Sequence, residues 1–99
     1  QASIEQVAQL TLSCLTKNVP SEVPGIAFLS GGQSNDLATL HLNEMNKKDN
    51  DWHVTFSYGR ALQQDALNIW AGKLENTNAT QEALLARAKA NSLATNGNF

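Results

Sequence analysis

Gly25-Ile-Ala-Phe-Leu-Ser-Gly-Gly-Gln-Ser34, read with Trp52-His-Val-Thr-Phe-Ser-Tyr-Gly-Arg60, decides the fold. Each stretch is a strand-like run that breaks into a glycine-bearing turn and opens a helix. Such a turn gathers backbone N–H groups at the positive end of a helix dipole, which suits a phosphate. The two turns lie roughly 30 residues apart, the size of a β-α-β unit, and so point to neighbouring parallel strands that share one anion site. The second turn adds the guanidinium of Arg60.

The first strand, Ile26 to Leu29, is apolar throughout, as expected of a parallel strand covered on both faces. The second alternates. Trp52, Val54, Phe56 and Tyr58 fall on one side, to pack against helices, and His53, Thr55 and Ser57 on the other, to face a site or a barrel interior.

Four helices surround these strands. Ser3 and Gln6 have capping-box spacing, and Ile4, Val7, Ala8, Thr11, Cys14 and Leu15 mark the inner face of a helix running to about Lys17. Pro20 and Pro24 frame a surface connection into the first strand. Ser34 caps a second helix with Asp36 in its first turn and Leu37, Leu40, His41 and Met45 at helical spacing, ending near Lys47 and Lys48. Arg60 begins a third, with Leu62, Ala66, Leu67, Ile69 and Trp70, stopped in left-handed conformation at Gly72. A fourth runs from about Ala79 to Ala94 and ends at Gly97. The order is α-β-α-β-α-α. Two parallel strands leave too many backbone groups unpaired to stand alone, so the sheet is expected to extend beyond this chain.

Ninety-nine residues make one small domain or part of a larger one. With 41% hydrophobic residues and a formal charge of −2, the chain offers no basic face for nucleic acid. No apolar stretch is long enough to cross a bilayer, and the first residues lack a secretory signal. Cys14 is the single cysteine, which excludes an internal disulfide and leans to a reducing compartment; on the helix's apolar side it reads as a buried thiol. Asn78-Ala79-Thr80 fits a glycosylation acceptor but reads as a helix cap.

His41 and His53 lie in different elements without metal-ligand spacing, and neither nucleotide-binding glycine pattern is present. Gly31, Gly32 and Gly59 could serve backbone geometry alone. Arg60 argues for a ligand, because a cation at a helix start opposes the dipole unless an anion lies between them. Ser30 and Ser57 have no His-Asp partnership that would make either a nucleophile. Lys17, Lys47, Lys48, Lys73 and Lys89 fall on helix ends, loops or exposed helical positions, not on a strand where a Schiff-base lysine would be desolvated.

Gly25 to Ser34, Leu42-Asn-Glu-Met-Asn46, Thr55-Phe-Ser-Tyr-Gly-Arg-Ala-Leu-Gln63, Trp70-Ala-Gly-Lys73 and Ala88-Lys-Ala-Asn-Ser92 together resemble class I fructose-1,6-bisphosphate aldolase, in the family's order and spacing and over nearly the whole chain. The resemblance implies an α/β fold, the C-terminal part of a (β/α)₈ TIM barrel: a helix, strand seven, a helix, strand eight and two helices. Residues 1–99 would be a C-terminal fragment of that single domain, an incomplete barrel, since a whole one needs roughly 250 residues. It implies a parent lyase that reversibly cleaves fructose 1,6-bisphosphate to dihydroxyacetone phosphate and glyceraldehyde 3-phosphate, through a Schiff base and with no metal or other cofactor, in glycolysis and gluconeogenesis.

Carried over residue by residue, the substrate-phosphate site is Ser30, Gly31, Gly59 and Arg60, with Leu29 and Ser57 lining the active site. The resemblance puts the Schiff-base lysine shortly ahead of residue 1, and the acid/base carboxylates and other lysines further upstream. No catalytic residue is thus expected within the 99, and the isolated chain is expected to be inactive. A cytoplasmic or, in a photosynthetic organism, plastid homotetramer is implied, with no nucleic-acid or membrane partner. Two rivals stay open: a non-catalytic module that binds sugar phosphates through the same turns, and a scaffolding role.

Overall fold

The computed structural model describes residues 2–29, 32–48 and 52–99. Its elements are α1 (Ile4–Asn18), β1 (Gly25–Leu29), α2 (Asn35–Lys47), β2 (His53–Ser57), α3 (Arg60–Trp70), a 3₁₀ turn (Leu74–Asn76) and α4 (Thr77–Thr95). The expected order is therefore observed, with the short 3₁₀ turn added before α4. β1 and β2 pair in parallel, with Gly25 opposite His53 and Leu29 opposite Ser57.

Capping follows the sequence signals at two helices. Ser3 Oγ accepts from the Gln6 amide at 3.1 Å, and Ser34 Oγ accepts from the Leu37 amide at 3.2 Å. Each satisfies one of the donors that a first helical turn leaves over.

α2 lies at the centre, packed against α1, α3, α4 and β2. Ala8, Ala38, Leu42, Val54 and Ala94 are wholly buried. Three of these five are alanines, which let helix backbones approach closely while Leu42 and Val54 fill the space between. Phe28 and Phe56 meet edge to face across the two strands, and Phe56 meets Tyr58 in the same manner. The Trp52 indole N–H donates to the Pro20 carbonyl at 3.1 Å, tying the entry of β2 to the connection ahead of β1.

Four expectations are corrected. Cys14 is exposed, and Leu12 takes the buried place. At about 100° per residue Leu12 lies some 40° around α1 from Ala8, whereas Cys14 lies about 120° away. β1 is not covered on both faces within this chain: Ile26 and Phe28 are half-buried, while Ala27 is exposed and Leu29 is 82% exposed. The left-handed stop of α3 comes one residue early, at Ala71 (φ 50°), with Gly72 following at φ 75°. The Asn76 amide donates to the Ile69 and Trp70 carbonyls at 2.9 and 3.2 Å, supplying partners that a helix end lacks. Finally, Asn78 lies within α4; Asn76 holds the cap position, and its side chain serves α3 instead.

Candidate functional site

Parallel pairing in register places the C-terminal ends of β1 and β2, Leu29 and Ser57, side by side. Each strand is followed directly by a helix, so the N-termini of α2 and α3 converge on that same edge. Between them lies an open cleft of about 600 Å³. Leu29, Gly32, Gln33, Ser34 and Asn35 form one wall, and Ser57, Tyr58, Gly59, Arg60, Ala61 and Gln64 the other. In open α/β sheets ligands bind at the carboxyl ends of strands, because helix N-termini gather there.

The two helix starts differ. The start of α2 is closed by the Ser34 hydroxyl. α3 starts at Gly59, which offers no side-chain cap; its carbonyl accepts from the Leu62 and Gln63 amides at 3.0 and 3.2 Å. The amides one turn earlier, of Arg60 and Ala61, are those an α-helix presents to an outside acceptor. Arg60 is exposed and forms no ion pair among the described residues. Its fork of donors therefore stands beside backbone donors that have no partner within the helix, in the positive field of two helix dipoles.

Of the residues named from sequence, Leu29, Ser57, Gly59 and Arg60 are brought together in this cleft. Ser30 and Gly31 lie outside the described residues. Gly32 has φ +81° and an open surround, so there the turn's backbone conformation calls for glycine. At Gly59 φ is −122° and an added Cβ would meet nothing within 4 Å among the described residues. Thr55 does not line the cleft; its hydroxyl lies 3.5 Å from that of Thr95.

Sequence reasoning passed over four other lining residues as ligand contacts: Gln33, Ser34, Asn35 and Gln64. Gln64 carried a legible signal, being one turn along α3 from Arg60 on the same face. Gln33 is held from behind, its side-chain oxygen 2.8 Å from Nδ1 of His41. Burial lowers the pKa of His41 below the usual imidazole value. The Tyr58 hydroxyl is buried without a hydrogen-bond partner among the described residues. Burial pushes its pKa up to about 12, and the Arg87 charge pulls the other way.

No lysine lines the cleft. Lys17 and Lys47 sit in the last turns of α1 and α2, Lys48 and Lys73 at helix caps, and Lys89 on an exposed position of α4. Among the described residues no three of His, Cys, Asp and Glu cluster as a metal site would require, and no helix is long and apolar enough to cross a membrane.

Residues 1–99 match the family model "Glycolytic", described as fructose-bisphosphate aldolase class-I. The chain is 60% identical over 99 residues to the chloroplastic fructose-bisphosphate aldolase 2 of Arabidopsis thaliana, covering all of this chain and 25% of that protein. It is 52% identical over 101 residues to the cytoplasmic isozyme 1 of Pisum sativum, of which it covers 28%. Its structure superposes with a TM-score of 0.93 on the Plasmodium falciparum fructose-bisphosphate aldolase solved in complex with TRAP and a small-molecule inhibitor, at 48% identity, covering 100% of this chain and 29% of that one. The chain thus spans about a quarter of the length of these relatives, which include chloroplastic and cytoplasmic proteins.

Proposed function

The chain belongs to the class I fructose-bisphosphate aldolase family, and on that premise we propose that residues 1–99 are the C-terminal quarter of an enzyme that reversibly cleaves fructose 1,6-bisphosphate to dihydroxyacetone phosphate and glyceraldehyde 3-phosphate. One observation carries the chemistry of this quarter. Two helix starts and the guanidinium of Arg60, without an ion pair among the described residues, face a single cleft at the ends of two parallel strands. That is a phosphate site. Arg60 grips phosphate oxygens as a charged fork, the amides of the Ser30–Gly31 and Gly59 turns donate the remaining hydrogen bonds, and Ser57 lines the cavity.

The bond-breaking groups lie outside these residues. A Schiff-base lysine must be desolvated close to the substrate carbonyl, and all five lysines here are on helix ends, caps or an exposed helical position. The exposed Ala27 and Leu29 side of β1 supports β1 and β2 as strands seven and eight of a (β/α)₈ barrel, with that apolar face turned to the barrel interior. The isolated 99-residue chain is then inactive, and the complete protein works as a homotetramer in the cytoplasm, or in the plastid of a photosynthetic source.

The test is cleavage of fructose 1,6-bisphosphate by the complete polypeptide that contains this sequence, with borohydride trapping in the presence of dihydroxyacetone phosphate. Cleavage together with a covalent adduct supports the enzyme. Phosphate binding with neither cleavage nor trapping would replace it with a non-catalytic sugar-phosphate module.

A further inference from the structure

The proposed phosphate site has two walls on separate β-α units, and a side chain outside the cleft is ion-paired to one of them and carries its charge near the other. We propose that Arg87, buried on α4, is a positioning residue of this site, holding the α2 wall through Asp36 and the β2–α3 wall through Tyr58. The inference rests on the sugar-phosphate reading above and deepens it.

Arg87 is only 8% exposed, and a buried guanidinium is costly unless it is paired. Its Nη1 donates to Oδ1 of Asp36 at 2.5 Å. Asp36 is the second residue of α2, next to Ser34 and Asn35 in the cleft wall, and its carboxylate is otherwise in solvent. A surface carboxylate at a helix start gains little from an exposed partner. Here the partner is a buried cation from a distant helix, and the pair fixes where the first turn of α2 stands.

The second link is to Tyr58, which lies in the chain between Ser57 and Gly59. The Arg87 charge acts on its phenol. Tyr58 Oη and Arg87 Nε are both buried without hydrogen-bond partners among the described residues. No hydrogen bond joins them in this structure, but one can accept and the other donates, so the link proposed here is electrostatic, with chemically complementary groups. One turn further along α4, Thr39 Oγ1 donates to Oδ1 of Asn91 at 2.6 Å in a fully buried bond, which sets α4 against α2 and fixes the reach of Arg87. Without Arg87 the walls lose their common support. Phosphate binding should weaken, while chemistry at groups supplied from outside residues 1–99 should continue.

The experiment uses the complete polypeptide carrying this sequence, with KM and kcat for fructose 1,6-bisphosphate and calorimetric affinity for inorganic phosphate as readouts. Arg87→Met is expected to raise KM and weaken phosphate binding roughly tenfold, with kcat within about twofold of wild type, the scale of coupling between contacting polar groups. Arg87→Lys should recover part of this loss, and the Arg87→Met effect should shrink in an Arg60→Ala background, because both act on one phosphate. An unchanged KM and phosphate affinity in folded Arg87→Met, or an equal effect without Arg60, overturns the proposal. If Arg87→Met does not fold, Asp36→Asn and Tyr58→Phe decide: raised KM and weaker phosphate binding in both support it, and no change in either overturns it. A wild-type protein that binds phosphate but cleaves nothing refutes the enzyme reading, and phosphate affinity then judges Arg87 alone.

Discussion

Gly97 lies so close to Asn46 that a Cβ on the glycine would stand 2.7 Å from the Asn46 carbonyl oxygen and 2.9 Å from its carbonyl carbon. The same glycine has φ +70°. Conformation and space therefore both require it, and the obstructing atoms are helix backbone, which cannot swing aside. Gly97→Ala is expected to lower stability by about 2 kcal/mol or more, of which left-handed backbone alone supplies roughly 1–2. Chemical denaturation of the two proteins measures it; equal midpoints and slopes would show that the chain end leaves α2 at no cost.

Asn46 itself makes the next prediction. Its Nδ2 lies 3.1, 3.0 and 3.1 Å from the carbonyls of Leu42, Val54 and Ala94, so two hydrogens are shared among three acceptors on α2, β2 and α4. Asn46→Asp keeps the shape and turns the donor into an acceptor facing three oxygens. Its carboxyl pKa must then rise in the folded state. A carboxyl raised on folding costs stability above its unfolded pKa, and the cost fades as pH falls. We expect a loss of about 3 kcal/mol at neutral pH, shrinking towards pH 4 or so. A loss that is flat with pH would contradict the assigned donor.

Much of this was legible in the sequence, and the gaps have local causes. Ser3 and Ser34 announced their helices because capping chemistry is confined to a few neighbouring residues. The paired strand-turn-helix units placed Leu29, Ser57, Gly59 and Arg60 in one cleft because parallel register follows from the repeat itself. Cys14 and Leu12 were exchanged because a stripe of alanine, threonine and cysteine defines a helix face poorly. Arg87 is not legible because its partner, Asp36, is 51 residues away, and no period connects them. The exposed side of β1 reads as interior in sequence, since apolar composition reports what a strand is built to meet and not what this chain supplies.

Gly59 and Arg60 separate backbone geometry from ligand binding. A methyl on Gly59 meets no atom of the described residues within 4 Å and projects at the start of α3. Gly59→Ala should therefore leave the melting temperature nearly unchanged yet weaken sugar-phosphate binding in the complete polypeptide that contains this sequence. Arg60→Ala should weaken it by about 1.5–3 kcal/mol, the range for hydrogen bonds to charged groups, and the difference should narrow as salt rises. Unchanged affinity in Arg60→Ala would remove the phosphate from this cleft.

Acid should act through His41. Burial depresses its pKa, so the unfolded chain takes up this proton at a higher pH than the folded one. Stability is therefore lost as pH falls below the ordinary imidazole value of about 6.5. Asn in its place can still offer a donor to the Gln33 oxygen, the group His41 Nδ1 now meets. His41→Asn is expected to flatten that part of the acid limb while preserving stability at neutral pH. Denaturation midpoints across the acid range would show the limb unchanged if another group were responsible.

Alkali should act through Tyr58, with the opposite sign. Its pKa rises to about 12 on folding from an ordinary value of 10, so above pH 10 the unfolded chain releases a proton that the folded chain keeps. Stability then falls as pH rises through that window and levels beyond it. The ring is only half-buried, so solvent screening reduces the size of the loss; its slope with pH is the quantity to measure. Tyr58→Phe should remove this slope. Arg87→Met should carry the fall to higher pH before it levels, because the cation that favours tyrosinate is gone and burial acts unopposed. An Arg87→Met protein whose loss levels at the same pH as wild type would mean that the guanidinium charge does not act on the phenol.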